Sequence, residues 1–395
     1  MLKDRDIIII SPQRWGGMWV SKHWIANELS KCNRVLFVGP PIWIGGMLRN
    51  PFELEPIKRL FTDHRGKVNN NLFLFSPVYL PGLFGIKETP EIIILTQLKK
   101  EIKRLRLRDI ILLNFGTNHH LIGNIKEKTS IYYCVDPPFP EKGKEQDEEL
   151  TCKKSDIIFA ISETYYNILK HKVLNKDIYV VPHGYDFVRA SRVLKNYSAE
   201  KPRELLTLPK PIIGYVGSIH DAYVDTNLII KIATNRPNWS FVLIGPHKNN
   251  PIGPSMDRRN YLKLQAIPNI YLLGPRHHNE LPTYVKYFDV GMILHNLKEF
   301  AESSKTKQRT PFKLLHYLSQ GKPIVSPPLY ELGPLTNLIY LAKTVNGFLS
   351  GIDKALGEQD TIKWERINYA SQFSYENILT KICTYILYFE DSIKK

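Results

Sequence analysis

The stretch from residue 310 to residue 326 constrains the fold more than any other part of this chain. It reads Thr-Pro-Phe-Lys-Leu-Leu-His-Tyr-Leu-Ser-Gln-Gly-Lys-Pro-Ile-Val-Ser, which predicts one helix followed by one buried strand. Thr310 is a favoured N-cap residue, Pro311 fits the first helical position, and leucines recur at helical spacing. Gly321 ends the helix. A helix that leads directly into a buried strand is typical of an α/β structure.

Lys313 is the informative residue of this stretch, because it lies in the first turn of the predicted helix. The N-terminus of a helix presents free N–H groups and a partial positive charge, so a lysine there can help to hold an anion. A solvated lysine on an amphipathic helix explains the local pattern equally well.

Length and composition indicate two globular domains. The chain has 395 residues, which is more than one ordinary hydrophobic core accommodates. Its 43% hydrophobic and 23% charged residues are typical of a globular protein and exclude a disordered chain. Its net charge of +16 fits a nucleic acid, an anionic membrane surface or a phosphorylated small substrate. The densest basic run, residues 99–108, has the spacing of a solvated helix face or, less often, of a membrane-surface helix. We therefore expect no nucleic-acid partner.

The cysteines and the apolar runs indicate the cellular compartment of the protein. The four cysteines lack paired or metal-like spacing, which favours a reducing compartment and no zinc site. We see no signal-peptide pattern, and no apolar run approaches the ~20 residues that a spanning helix needs. We expect a cytoplasmic protein that can contact the inner membrane face peripherally.

Strands and helices alternate twice along the chain. A short apolar strand at residues 6–11 opens the first series, and a strand at residues 211–216 opens the second, after a linker-like segment at 186–210. This pattern predicts two doubly wound parallel sheets. We place the domains at residues 1–190 and 191–374.

In the second half, several loops follow predicted strands. Gly217, Gly245 and the pair Arg276-His277 follow three strands, and the loop that leads to Lys313 follows a fourth. Because ligands bind beyond the carboxyl ends of open parallel sheets, these loops can form a site for a base, a ribose and a diphosphate. Four ordinary turns and one solvated lysine are the alternative.

The first half carries a glycine pair after its first strand. Gly16 and Gly17 form either a simple turn or a loop that lets the backbone approach a ligand. Arg14 lies beside the pair, which favours the ligand-binding interpretation.

Two further groups follow strands of the first half. His119 and His120 are substrate ligands or solvated loop histidines. Asp136 ends a strand before two prolines, where it is either a general base or a turn residue.

Taken in order, these motifs resemble the GT-B glycosyltransferases, specifically family 4 and, within it, enzymes of teichuronic-acid and other surface-polysaccharide assembly. The resemblance covers nearly the whole chain. The passages that carry it are Trp15–Gly17, Tyr132–Asp136, Asp156–Ser162, Val181–Asp186, Gly214–Gly217, Trp239–Gly245 and Pro311–Pro323.

The resemblance implies two Rossmann-like domains that face each other across a cleft. The C-terminal domain would bind a nucleotide-diphosphate sugar, and the N-terminal domain would bind a glycan or lipid-linked acceptor. A final helix at residues 375–395 would brace the N-terminal domain.

The resemblance also assigns roles to residues. Lys313 and Arg276 would hold the diphosphate and so act in catalysis, beside Asp136, which its position at a strand end makes the candidate general base. The other donor-binding residues would be Gly16, Gly17, Gly217, Gly245, His277 and His316, and the acceptor-binding residues would be Arg14, His119 and His120.

The chain departs from the family pattern at several positions. Gln308 and His316 stand where the family often has two glutamates, and Ser218 and Asp225 stand where it has Arg and Lys. We expect a metal-independent transfer that needs no cofactor. An epimerase or phosphorylase on the same fold, or a nucleotide-sugar binding protein without turnover, are the alternatives.

Overall fold

The structure, a computed structural model, describes most of the chain. The described residues are 2–16, 19–44, 55–79, 90–135, 144–196, 200–221, 224–247, 256–296 and 312–393. They form two units: Met1–Gly184 with Tyr375–Lys395 is unit 1, and Tyr185–Ser374 is unit 2. The division falls a few residues before the boundary drawn from the sequence. The ligand-binding roles that the sequence assigns to the two units stay predictions.

Unit 1 is built on an eight-stranded sheet in the order β10-β9-β8-β7-β1-β2-β5-β4, with a separate parallel pair, β3 and β6. Only the pairing of β4 with β5 is antiparallel. Strand β1 reads Asp-Ile-Ile-Ile-Ile and is buried throughout, as expected for a parallel strand covered on both faces. The strands are β1 Asp6–Ile10, β2 Arg34–Val38, β3 Ile42–Trp43, β4 Arg65–Lys67, β5 Leu72–Phe75, β6 Val78–Tyr79, β7 Ile111–Asn114, β8 Thr129–Cys134, β9 Ile157–Ala160 and β10 Asp177–Val180.

Helices connect these strands and cover the sheet. Their apolar residues join the strands in two buried clusters, which is the layered arrangement that the alternation predicts. The described helices before residue 184 are α1 Ser21–Leu29, α2 Glu55–Thr62, α3 Pro90–Leu105, α4 Lys144–Lys154 and α5 Glu163–Lys172.

Unit 2 is built on a six-stranded, wholly parallel sheet in the order β13-β12-β11-β14-β15-β16. Its strands are β11 Ile212–Val216, β12 Ser240–Ile244, β13 Ile270–Gly274, β14 Val290–Met292, β15 Ile324–Ser326 and β16 Tyr340–Leu341. Its described helices are α6 Phe187–Lys195, α7 Thr226–Asn235, α8 Arg258–Gln265, α9 Leu281–Lys286, α10 Lys313–Leu318, α11 Val345–Leu356 and α12 Thr361–Ser371, with 3-10 turns at Arg203–Leu205 and Tyr330–Leu335.

The helix-to-strand stretch of the sequence is confirmed as α10 and β15. Leu314, Leu315 and Leu318 are buried, and Gly321 takes a left-handed φ of +66°, which ends the helix. The predicted cap residues 310 and 311 lie outside the described residues.

The linker predicted at residues 186–210 is wrong in its first half, where α6 forms. The Asp186 carboxylate caps this helix by accepting the main-chain N–H of Arg189 at 3.1 Å. Gln320 donates to the carbonyl of Ala190 at 2.8 Å and fixes the helix to the end of α10. The interpretation as a linker overlooked the sequence signal of α6, since Phe187, Ala190 and Leu194 recur at helical spacing.

The last helix, α13 Tyr375–Ser392, returns to unit 1. Its buried residues Ile378, Leu379, Ile382 and Ile386 belong to the same core cluster as strands β1, β8 and β9. The core of unit 1 is therefore completed by a segment that follows unit 2 in the chain.

We expect Ile382→Ala to lower the free energy of unfolding of unit 1 by about 2–5 kcal/mol, because it leaves a cavity at a fully buried position. Urea unfolding followed by circular dichroism measures the change. Tyr388→Ala is the matched control on the same helix, since Tyr388 is 67% exposed, and it should shift stability by less than about 0.5 kcal/mol. Equal losses in the two variants would contradict the placement of α13.

Candidate functional site

The loops that follow β11 and β12 touch each other through their main chains. Gly217 donates its N–H to the carbonyl of Ile244 at 2.9 Å, and Gly245 donates to the carbonyl of Gly274 at 3.0 Å. A Cβ atom on Gly245 would lie 1.9 Å from the carbonyl oxygen of Gly217. Only glycine fits there, because its φ is also +155°. The predicted residues Gly217 and Gly245 are thus direct neighbours.

Lys313 reaches the same place from the start of α10. Its Nζ donates to the Tyr215 hydroxyl at 2.8 Å and lies 4.3 Å from the centre of that ring. The Nζ also lies 3.4 Å from Nε2 of His295. A Cβ atom on Gly217 would come within 3.0 Å of the Lys313 Cε, so the glycine leaves room for the lysine side chain.

Few groups near Lys313 compensate the positive charge of its ammonium. Burial lowers the pKa of Lys313 to about 7, and no other cause contributes. Burial also lowers the pKa of His220, which Asp221 raises and Lys313 lowers further. Within the described residues no carboxylate forms an ion pair with Lys313. Such a place favours an anion, because an anion would supply the missing negative charge.

Arg276 is fully engaged within unit 2. Its guanidinium forms an ion pair with Glu204 at 2.7 Å, and it donates to the Tyr284 hydroxyl at 2.9 Å and to the Leu273 carbonyl at 2.6 Å. The neighbouring His277 is exposed. The donor-binding roles of Arg276 and His277 stay predictions, and Arg276 would have to exchange Glu204 for a diphosphate.

His316 packs inside unit 2. Its Nδ1 lies 3.2 Å from the hydroxyl of Tyr185, which lies 3.1 Å from the hydroxyl of Ser319. Burial lowers the pKa of His316 to about 4, so the ring is neutral at physiological pH. These contacts account for the residue as part of the packing between Tyr185 and α10, and they give no support to the predicted donor contact.

In unit 1, the glycine loop follows β1. Gly16 has a φ of +94° and nothing lies within 4 Å of a Cβ atom built on it, so it occupies an open turn. Arg14 is exposed, and its carbonyl oxygen lies 2.9 Å from Nε2 of the buried His23. Gly17 and Asp136 lie outside the described residues, so their predicted roles stay predictions.

His119 and His120 follow β7 and are both partly buried. The Nε2 of His119 lies 3.5 Å from a carboxylate oxygen of Asp147 on α4. Burial lowers the pKa of His120. The structure therefore places the His119 ring against α4, and the acceptor-binding role of both histidines stays a prediction.

Acidic residues that could hold a metal do not meet at these loops. Asp4-Arg5-Asp6 has the spacing of an Asp-x-Asp motif but stands at the amino end of β1, where Asp6 accepts two hydrogen bonds from Arg34, at 2.7 and 2.6 Å. In the part of the chain that the structure describes, no group of three or more His, Cys, Asp or Glu residues is placed to hold a metal ion.

Tyr215, His220 and His295 are the residues of this place that sequence reasoning missed. Tyr215 is one apolar residue of a buried strand in the sequence. The only available signal for the histidines was their position just after two strands.

Comparisons with known proteins bear on the fold of this chain. No family model matches the chain. A curated relative from Bacillus subtilis, named "Putative teichuronic acid biosynthesis glycosyltransferase TuaH", is 23% identical over 244 residues, which is 59% of this chain and 57% of the relative. The match thus spans little more than half the length of that protein.

Solved structures match over nearly the whole chain. HepE from Anabaena, in complex with UDP and glucose, has a TM-score of 0.62 at 12% identity and covers 96% of this chain and 98% of its own. Sucrose-phosphate synthase from Thermosynechococcus elongatus has a TM-score of 0.69 at 11% identity, and the match covers 99% of this chain and 100% of the synthase. A glycosyltransferase from Rickettsia africae has a TM-score of 0.67 at 11% identity, with 100% of both chains covered. The GT-B fold indicated by the sequence is confirmed.

We expect Lys313→Met to stabilise the protein, by about 1–3 kcal/mol below pH 7. The unfolded chain keeps this proton up to the ordinary pKa of 10.5, whereas the folded protein releases it near 7. Wild-type stability therefore rises with pH between these values, and the advantage of the variant shrinks toward pH 10.

Thermal unfolding between pH 6 and pH 10 measures this difference. Lys354→Met, on the exposed face of α11, is the control and should show no such trend. A difference between Lys313→Met and wild type that stays constant with pH would refute the assignment of a desolvated ammonium.

Proposed function

We propose that this protein is a glycosyltransferase that moves a sugar from a nucleotide-diphosphate donor to a hydroxyl group of a glycan or lipid-linked acceptor. The observation that carries the proposal is the Lys313 ammonium beside Gly217, Tyr215 and His295 in unit 2. Two comparisons support it: the relative named for teichuronic acid biosynthesis, and the GT-B structure of HepE solved with UDP and glucose. Both favour a role in cell-surface glycan assembly with a nucleotide-sugar donor.

The chemistry follows from where charge develops. Cleavage of the sugar–phosphate bond leaves additional negative charge on the departing nucleoside diphosphate. The Lys313 ammonium is held in place by Tyr215 and is partly removed from water, so it stabilises this charge more strongly than reorganising solvent does. An interaction that strengthens as the bond breaks raises the rate of the chemical step.

The glycines would position the loops beside the diphosphate. Because Gly217 and Gly245 have no side chains, the loops after β11 and β12 pack closely against each other and against the Lys313 side chain, which would meet the phosphate oxygens. The cation supplies the charge that a metal ion provides in other transferases, and the proposal is therefore a metal-independent transfer.

Unit 1 would supply the acceptor contacts. Arg14, His119 and His120 follow strands of its sheet on the carboxyl side, where ligands of parallel sheets bind. Asp136 follows the end of β8 closely in the sequence and stays our candidate for the group that accepts the proton of the attacking hydroxyl.

Lys313→Met should reduce sugar transfer about 100- to 1,000-fold, because it removes one fixed charge that stabilises the leaving group. The donor is first identified by calorimetry with UDP-, GDP- and ADP-sugars, and nucleoside diphosphate release is then measured with cell-envelope acceptors. Lys322→Met is the matched control: Lys322 is also a largely buried lysine of unit 2, but it lies beyond the other end of α10. Transfer by Lys313→Met at the wild-type rate would remove the proposal.

We also propose that unit 1 contacts an anionic membrane surface. Phe61 on α2 is 83% exposed, and Trp43 on β3 and Ile92 on α3 are about half exposed. Helix α2 packs on β3, which pairs with β6, and α3 packs on β6, so these side chains belong to one group of adjoining elements. Exposed apolar residues beside the basic face of α3 suit an anionic lipid surface. No helix in the described residues is long and apolar enough to cross a membrane.

Replacing Lys99, Lys100 and Lys103 of α3 by Gln should weaken binding to vesicles with anionic lipid about 100-fold, at about 1 kcal/mol for each charge lost. Phe61→Glu should weaken it as well, whereas Trp364→Glu in unit 2, at another strongly exposed aromatic residue, should not. Co-sedimentation with phosphatidylglycerol and with neutral vesicles measures both effects. Equal binding to the two kinds of vesicle would exclude the charge mechanism.

A further inference from the structure

In unit 2, Lys313 contacts Tyr215 and lies near two histidines, His220 and His295. Tyr215 belongs to β11, His220 to the loop that follows it, His295 to the segment after β14, and Lys313 to α10. The Lys313 Nζ is 2.8 Å from the Tyr215 hydroxyl and 3.4 Å from His295. We refer to these four residues as the basic cluster.

The Tyr215 hydroxyl has a fixed direction. It donates its own proton to the carbonyl of Ser218 at 2.9 Å, so the side of the oxygen that faces Lys313 acts as an acceptor. The ring of Tyr215 is fully buried and lies 4.3 Å from the same Nζ. The oxygen and the ring face both favour the charged form of the lysine.

The other titratable groups near Lys313 are two histidines and one carboxylate. His295 and His220 face it from the loops after β14 and β11. Asp221 acts on His220, and its carboxylate is already occupied by the N–H of Asp257 at 2.8 Å and the amide of Asn260 at 2.8 Å. In the described part of the chain, no element packed against Lys313 brings a carboxylate to it.

We propose that the basic cluster takes up a proton when the diphosphate of the donor binds, with Tyr215 as the positioning residue that holds the resulting Lys313 ammonium. This inference rests on the proposed donor site. The proton comes from solvent and ends on Nζ of Lys313, and no other bond changes. Phosphate oxygens would supply negative charge to the Lys313 ammonium.

The expected size of the effect follows from burial. Because burial lowers the pKa of Lys313 to about 7, most molecules carry a neutral amine at pH 8 when the site is empty. A bound diphosphate returns the pKa toward its ordinary value, so binding at pH 8 takes up nearly one proton. Linkage then requires the affinity for the diphosphate to fall up to about tenfold for each pH unit above 7.

Calorimetry of UDP, GDP and ADP binding at pH 8, in two buffers that differ in ionisation enthalpy, counts the protons taken up. The terminal phosphate of these ligands has a pKa of about 6, so it contributes little at this pH. We expect close to one proton for the wild-type protein and none for Lys313→Met. Lys313→Arg, which stays charged, should bind without proton uptake.

Tyr215→Phe tests the positioning role. Without the hydroxyl, affinity should fall about tenfold at pH 8 and less than about threefold at pH 6, where the lysine is charged in any case. A purely structural defect would weaken binding equally at both pH values. Lys322→Met is the control, since burial also lowers the pKa of Lys322, to about 8, and its loss should leave the proton count unchanged.

Each result decides between the two proposals. Binding of a nucleoside diphosphate without proton uptake, or uptake that persists in Lys313→Met, would overturn this inference and leave the glycosyltransferase proposal standing. If none of the three nucleotides bound the wild-type protein, both proposals would fail.

Discussion

The feature on which the proposed chemistry depends is a lysine ammonium that has been taken partly out of water without a carboxylate partner in the described residues. Lys313 is held by one hydroxyl and one aromatic face of Tyr215. That arrangement costs stability, because a phenol compensates a charge less well than a carboxylate does. Gly217 leaves room for the Lys313 side chain, and the proposed anionic ligand would supply the compensating charge.

A second buried charge shows what a purely structural arrangement looks like. Glu148 in unit 1 is fully buried, but its carboxylate accepts hydrogen bonds from Tyr165 and, at 3.2 Å, from Tyr132, and it lies 3.6 Å from the ammonium of Lys172. One carboxylate oxygen thus has two hydrogen-bond donors and the other faces an ammonium, so the fold itself supplies partners for this charge. The contrast with Lys313 separates a group that the fold stabilises from a group that a ligand stabilises.

The GT-B fold by itself does not assign the reaction, since the same two-sheet architecture serves many activities. The assignment depends on side chains at the strand ends, and the predicted residues there differ in whether other side chains already engage them. Lys313 gains support. Arg276 is bound to Glu204, and His316 is packed against Tyr185, so neither is available without a rearrangement.

The sequence by itself determined the two alternating series of strands and helices, the stretch α10–β15, and the position of Lys313 in its helix, because these depend on local periodicity and on Gly and Pro. It missed α6, although Phe187, Ala190 and Leu194 of this helix recur at helical spacing; the Asp186 cap and Gln320 hold the helix in place. Only the tertiary structure decided that Tyr215, His220 and His295 surround Lys313. Those residues are far apart in sequence, and parallel pairing of β11 with β14 brings them together. The pKa of Lys313 follows from that packing, since desolvation is a property of the surroundings and not of the residue.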